Sequence, residues 1–592
     1  MGTISDKLMR IINTKEDIRQ ALISKGYDVP TSIPFKEYAK MISDLPCKVD
    51  DFPKLPGDVT RWHFGGLTNE MMAAMDDPRI EDADHKGRFL SFKNFAWKGM
   101  SGVNGYVQNF NNFKNNATVD KVRIDEQSSN SIKVTILTTG ISSAIYIPKN
   151  IYQFNKSYSI KISSEGYNEG DLSLSFYASS VSTATTVKVP LNPNGITEIP
   201  AIKEDDFLAV YLNVGGKVGS ITIEQLPLYP GFILGDGVDD FAVTEKELNF
   251  EDTYTVYTAF VPFQNNPTRN MILCGASKKT FSMQYPHLVY VSFIAGNNYY
   301  INADFVNGLN LFACKRNGNN ICIKNLLTNK VVTGTCGDWV ENAGLYYLWK
   351  NAAYASFARA GIAGQIIDNG HFTTDEEDEN ILNWHKKQYP WLFPDQAWTV
   401  TGKTNEDEDR ATIANITGNG NDLVLSNFGF AEGSGYNEEG EYAGYLVTDG
   451  VDDKVQSYRF TMNEDWTIVG NWTMLSNVQS NCGIVKAQNV YLYNIANGLL
   501  ISINNPRSLQ RFGTKSLHAI CSDGRLYDRN WVEYEYTVDQ NFAIVESSLN
   551  IGFNLNNYTQ IAFKNLGIYN NQILSKDDCI KAYSYLQTLK AK

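Results

Sequence analysis

The stretch Asp236-Gly237-Val238-Asp239-Asp240 returns unchanged as Asp449-Gly450-Val451-Asp452-Asp453, 213 positions later. The flanks return with it. Glu251-Asp252-Thr253-Tyr254-Thr255-Val256 follows the first copy and Glu464-Asp465-Trp466-Thr467-Ile468 the second, each opening an alternating apolar run. Further on, Cys274-Gly275 answers Cys482-Gly483. Cys314 answers Cys521, each just ahead of a tight-turn dipeptide, Asn317-Gly318 or Asp523-Gly524. Short alternating runs between turn residues specify half-buried antiparallel strands. One all-β unit has been duplicated in tandem.

The repeat reaches further upstream. Trp62, Gly66, Thr68, Asn69 and Glu70 match Trp398, Gly402, Thr404, Asn405 and Glu406 at a constant offset of 336. Leu90-Ser91 matches Leu425-Ser426, and Gly105-Tyr106 matches Gly435-Tyr436. Tyr436 stands 13 residues before Asp449, but Tyr106 stands 130 before Asp236, a surplus of 117. That is the size of a small domain. The spacing predicts a first repeat in two parts, 57–111 and 231–395, split by an inserted domain at 112–230, with the second repeat at 396–592. The insertion carries its own strand runs, among them Ile132 to Leu137, Tyr158 to Ile162, Leu172 to Tyr177, Phe207 to Leu212 and Ile221 to Leu226. Both repeats close on a strand followed by a helix start. Thr374 with Glu377 fits a capping box, and Ser575 with Asp578 its acidic variant. Pro390 to Pro394 reads as a stiff junction between the repeats.

The 592-residue chain carries a net charge of −13 with no basic face, which argues against nucleic-acid binding. No apolar run approaches the ~18 residues of a membrane span, and Met1 to Lys7 shows no Sec-type signal. Residues 1–56 read as three short helices, with apolar stripes at Ile4, Leu8, Ile11 and Ile12, then Ile18, Ala21 and Leu22, then Phe35, Tyr38, Ile42 and Leu45. So small a unit needs outside contacts to be stable. It is either a cap on the next domain or an oligomerising and docking segment.

Three candidate chemistries can be weighed. The Asp-rich pentapeptide offers carboxylates for Ca²⁺, but a calcium loop needs six to eight oxygens, so a backbone-capping turn is the expected role. Glu533 and Glu535 alternate as paired glycosidase acids do, but the first repeat has no counterpart, and a solvated strand face is expected. His63, His85, His287, His371, His385 and His518 show no metal spacing, and no CxxC is present. Cys314 and Cys322 flank a hairpin and either face each other or serve as small buried residues; the second is expected. No catalytic, cofactor or metal residue is therefore assigned. Aromatic clusters such as Asn297-Asn298-Tyr299-Tyr300 and Gly344-Leu345-Tyr346-Tyr347 are candidates for stacking on sugar, but sequence does not divide exposed rings from core rings.

The pentapeptide, the central hairpin and the closing strand and helix, present twice, resemble laminin-G-like, concanavalin A-like sandwiches. The insertion, chiefly in Ser220 to Leu226, resembles jelly-roll modules of carbohydrate-active enzymes. At the N-terminus, Ile4 to Leu8, Thr14 to Ile23 and Phe35 to Ala39 resemble a helical module of tailed-phage virion proteins, and the composition resembles phages of the crAss-like group. The expected fold is mainly β: tandem concanavalin A-like sandwiches, one split by a jelly-roll, behind a small helical module. The resemblance implies a non-enzymatic fibre- or spike-like virion appendage, assembled in the host cytoplasm, that binds host-surface glycan. Its helices would dock on other virion proteins, as a homo-oligomer with a trimer favoured. A tail-spike depolymerase and a ligand-free capsid decoration protein are the alternatives.

Overall fold

A ten-residue strand of each repeat, Ala360–Asn369 or Ile561–Asn570, is buried along almost its whole length. A strand covered on both faces belongs at the centre of a layered structure, and both sheets are organised that way. The computed structural model describes residues 51–591 apart from 179–186, 205–206, 264–270, 277–281, 286–287, 295–296, 304–307, 339–341, 351–356, 419, 441, 476–481, 488–489, 496–497, 504–509, 513–516, 537–544, 552, 555–556 and 559. The expected N-terminal helices lie outside the described residues. Met1–Lys54 and Leu55–Lys592 are two separate compact units, and the β-sandwiches belong to the second.

Each repeat is a sandwich of two eight-stranded antiparallel sheets in the same strand order. In the first repeat, Ala360–Asn369 pairs with Thr253–Pro262 on one side and with Asp58–His63 and Ile233–Leu234 on the other. In the second, Ile561–Asn570 pairs with Trp466–Met474, Gln396–Thr399 and Leu446–Val447 in the same places. Trp62 and Trp398 occupy one position: both are buried, and each indole N–H donates to a backbone carbonyl, Arg88 at 3.0 Å and Asn421 at 2.9 Å. Enclosing an indole removes roughly 200 Å² from water, on the order of 5 kcal/mol. Asn69 and Asn405 are equally matched, and their partners make Gly102-Val103, rather than the expected Gly105-Tyr106, the counterpart of Gly435-Tyr436. Asn69 exchanges two hydrogen bonds with the backbone of Val103, 2.8 and 3.3 Å, and Asn405 two with Tyr436, both 2.8 Å.

The first sandwich is discontinuous in sequence. Phe89–Lys93 pairs with Phe241–Thr244, and Gly102–Val103 with Ile233–Leu234, so strands from before and after the intervening segment share both sheets. Where the second repeat joins Gly435–Tyr436 to Leu446–Val447 by a short loop, the first carries a complete further sandwich. Its two five-stranded sheets run Val187–Leu191, Leu172–Ala178, Phe207–Asn213, Ser143–Pro148, Lys114–Asn115 and Ile196–Ile199, Tyr158–Glu165, Gly219–Gln225, Ser131–Ile136, Val122–Gln127. A hairpin tip suits an insertion because its two chain ends are already adjacent. Leu228 N–H donates to Gly105 O at 3.0 Å and Tyr229 N–H to Asn104 O at 2.9 Å across this neck. Gln108 and Gln225, both buried, then close it: Gln108 N–H donates to Gln225 Oε1 at 2.9 Å, and Gln225 Nε2 donates to Gln108 O at 3.1 Å.

The helices that close the repeats, Asp375–Gln388 and Lys576–Thr588, start as expected. Thr374 and Glu377 form a reciprocal capping box, and Ser575 Oγ accepts from Asp578 N–H at 3.2 Å. The junction is packed. Trp391, Leu392 and Phe393 are buried, and Trp391 O accepts from Tyr569 Oη at 2.9 Å. Cys314 and Cys322 do not face each other. The register sets Cys314 opposite Ile323 and Cys322 opposite Lys315, one residue out of step and so on opposite faces. Both are buried free thiols.

Candidate functional site

Three strands of the inserted sandwich each place a tyrosine out of phase with their core residues. Ile145 and Ile147 point inward and Tyr146 outward; Val210 and Leu212 inward and Tyr211 outward; Leu174 and Phe176 inward and Tyr177 outward. These strands are neighbours, with Tyr211 opposite Tyr146 and the Tyr177 strand next beyond. Tyr146 and Tyr211 stack with centroids 5.8 Å apart and planes at 27°, and Tyr177 meets Tyr211 edge-on at 5.3 Å. Tyr177 is 37% exposed. Two strand spacings make the row about 10 Å long, about the length of a disaccharide.

Polar groups frame the rings. Asn213 accepts from Ser143 Oγ at 2.6 Å and donates through Nδ2 to Ser175 Oγ and to Tyr177 Oη at 3.4 Å. Lys114, opposite Tyr146, and Lys188, opposite Ser175, are exposed on the same face. Flat aromatic area beside amide, hydroxyl and ammonium groups suits a ligand with an apolar face and a rim of hydroxyls. A second, smaller group lies on the first repeat. Phe241, Tyr347 and Phe357, all half-buried, surround Lys350 Nζ at 4.0, 5.9 and 5.7 Å from their centroids.

The candidates named from sequence divide as follows. Tyr346 is core, stacked on Trp62 at 6.2 Å, while Tyr347 faces outward. The side chains of Asn297 to Tyr300, and His287, lie outside the described residues. Glu533 and Glu535 are exposed on an edge strand, without the apolar enclosure a general acid needs. His385 and His518 are buried singly, each on a backbone carbonyl, and desolvation pushes both down to about 4. His63 meets Tyr389 Oη at 2.9 Å, and His371 meets Glu377 at 2.9 Å.

The two Asp-rich loops are built alike. Asp236 Oδ1 accepts from Val238 N–H at 2.7 Å, and Asp240 Oδ2 accepts from Asp236 N–H at 2.9 Å and Ser101 Oγ at 2.7 Å. In the second copy Asp449 Oδ1 accepts from Val451 N–H at 2.7 Å, Asp453 Oδ2 from Asp449 N–H at 2.7 Å, and Asp453 Oδ1 from Ser434 Oγ at 3.1 Å. Gly237 and Gly450 sit at φ +79° and +75°, as the turn requires. The serines come from the Gly-rich turns, where Gly102 and Gly435 let the backbone approach Asn69 and Asn405. A Cβ would stand 2.4 and 2.5 Å from the asparagine Oδ1 atoms. Burial pushes Asp240 up to about 7 and Asp453 up to about 6. Asp236, Asp239 and Asp240, like Asp449, Asp452 and Asp453, bring three oxygens within 4.8 Å. That is half of a calcium shell, and most of these acceptors already serve the turn.

Fold and site together define a mainly β protein whose described residues form three sandwiches, one of them with a row of three outward tyrosines. No family model and no curated protein matches the chain. Among solved structures, a Trypanosoma rangeli sialidase in complex with sialic acid is similar over 90% of this chain and 99% of its own, at 9% identity and a TM-score of 0.25. The receptor-binding domain of a botulinum neurotoxin mosaic serotype C/D is similar over 58% of this chain and 89% of its own, at 9% identity and a TM-score of 0.27. Likeness at that level carries nothing about function.

Proposed function

We propose that this chain is a glycan-binding appendage of a tailed-phage virion, without catalysis of its own, that meets host-surface polysaccharide through the Tyr146–Tyr211–Tyr177 face. The observation that carries the reading is the row of three outward tyrosines on adjacent strands, edged by Asn213, Lys114 and Lys188. The virion part rests on the N-terminal resemblance alone. Tyr211 is the centre of the face, and a central aromatic anchor typically contributes about 2 kcal/mol or more, about 30-fold in affinity.

The test is an array of bacterial surface polysaccharides probed with the full chain and with Tyr211→Ala. A glycan retained by the parent and weakened at least tenfold by the variant is expected. An empty array, or full retention by the triple variant Tyr146→Ala/Tyr177→Ala/Tyr211→Ala, overturns the binding site. A fall in polymer size on incubation overturns the non-enzymatic reading. Absence of the protein from purified particles, probed by immunogold labelling, overturns the virion assignment.

A further inference from the structure

The two repeats diverge at one buried position where sheet meets helix. In the first, Lys315 lies opposite Thr255 and meets Asp378, in the first turn of Asp375–Gln388, at 2.6 Å; the side chains are 4% and 1% exposed. In the second, Cys521 lies opposite Thr467, so the counterpart of Cys521 is Lys315 and not, as the sequence match suggested, Cys314, which answers Ile520. Thr255 and Thr467 are equivalent by their bonds. Thr255 Oγ1 donates to His371 O and accepts from Thr373 N–H, and Thr467 Oγ1 donates to Gln572 O and accepts from Leu574 N–H. Counted from the caps Thr374 and Ser575, Asp378 corresponds to Cys579. Two thiols stand where the first repeat has an ion pair.

Both cysteines are fully buried, and both sulfurs approach one carbonyl, Leu574 O, at 4.0 Å from Cys521 and 3.9 Å from Cys579. A carbonyl shared at those distances brings the two thiols into one enclosed site. Arg525 Nη2 donates to the same carbonyl at 3.2 Å. The hydrogen bond from Cys579, with Thr467 and Arg525 assisting against burial, holds the Cys521 thiol below its ordinary range. A thiol lowered beside a guanidinium and a second thiol is poised for oxidation, and its enclosure restricts the oxidant to one as small as hydrogen peroxide.

We propose that Cys521 and Cys579 are a covalent cross-linking site, joined by a peroxide-class oxidant. The Cys521 thiolate attacks hydrogen peroxide, breaking the O–O bond to give a sulfenic acid and hydroxide, which leaves as water on protonation. The Cys579 sulfur then attacks the sulfenic sulfur, the S–O bond breaks, and the hydroxyl departs with the thiol proton as a second water. Two thiols give up two electrons to one peroxide. The bond pins Lys576–Thr588 to its sheet. That helix also carries Tyr585, whose Oη accepts from Leu309 N–H of the first repeat at 2.9 Å, and Ser584 and Gln587, which line a cavity of about 110 Å³ against the inserted sandwich. The inference stands independently of glycan binding.

The full chain, purified reduced, is treated with equimolar hydrogen peroxide and digested without reductant. The expected product is one peptide pair joined through Cys521 and Cys579, two hydrogens lighter than its parts. The melting temperature of the second repeat should rise by at least about 4 °C, reversed by dithiothreitol and absent in Cys579→Ala. Oxygen adducts on Cys521 without the joined pair, or a joined pair without the thermal shift, overturn the proposal. Peptide mapping of the unsubstituted chain decides the outcome even if Cys579→Ala fails to fold.

Discussion

Replacing Asp378 by alanine should be among the most damaging single changes in the first repeat. Its Oδ2 receives Lys315 Nζ at 2.6 Å and Lys324 Nζ at 3.0 Å, and its Oδ1 receives Tyr257 Oη at 2.8 Å and Thr373 Oγ1 at 3.0 Å. Lys324 keeps Asp375, and Tyr257 keeps Thr373. Lys315, 4% exposed, keeps the Thr373 carbonyl at 2.8 Å and the face of the Phe372 ring at 5.4 Å, but no anion to pair with among these contacts. Removing one partner of a buried pair costs about 3–5 kcal/mol because a desolvated charge is left behind. In a sandwich of this size that lowers the melting temperature by roughly 6–20 °C. Replacing both partners is far milder, and the second repeat names the replacement: Lys315→Cys/Asp378→Cys should cost less than Asp378→Ala alone. Calorimetry on the full chain, with hydrogen exchange assigning each transition to its sandwich, reads both. An Asp378→Ala melt within about 2 °C of the parent, or a double variant as unstable as the single one, would refute the reasoning.

Two further outcomes concern the loops and the neck. Asp240 holds its proton more tightly folded than unfolded, with its value pushed up to about 7 from 3.8. Its stabilising contribution is full below the unfolded value and is lost as pH rises through the folded one. Thermal melts between pH 4 and 8 should therefore fall less steeply for Asp240→Asn than for the parent, and equal slopes would exclude a buried raised carboxyl. Gln225→Ala strands the buried Gln108 N–H at a cost of about 1–3 kcal/mol. Hydrogen exchange should quicken at the neck residues while the inserted core keeps its protection; unchanged exchange there would mean that the clasp contributes nothing to closing the neck.

The duplication was legible because the Asp-rich turn is made of local bonds, Asp236 to Val238 and Asp240 to Asp236, which force the same residues at the same spacing twice. The interruption of the first repeat was legible because the offset between matches drops abruptly, from 330 or more before the insertion to 213 or less after it. Strand order was not, because Ala360–Asn369 finds partners 98 residues away or more in either part of its own repeat. The tyrosine face was half legible. Alternation around Ile145, Val210 and Phe176 gives the outward direction of each ring, but only the sheet order puts the rings side by side. Cys314 and Cys322 are the small buried residues expected, kept one residue out of step by the two-residue turn at Gly318. Nothing local marks Cys521 and Cys579 as neighbours, since the sheet and the helix meet only in the folded repeat.

The inserted sandwich is held at more than its neck. Glu198 bonds to Lys564 and Asn471, Asn192 to Asn530, and Glu169 to Arg529, all on the second repeat. The two repeats are joined in turn through Tyr585 and the packed junction at Trp391. Each sandwich thus touches both others, and the three form a closed truss. Three bodies strung in a line bend at every joint, whereas three bodies in a ring of contacts yield only when a contact breaks. A lateral pull on the tyrosine face is therefore shared between a covalent neck and a polar flank, and the insertion acts as a brace as well as a cargo.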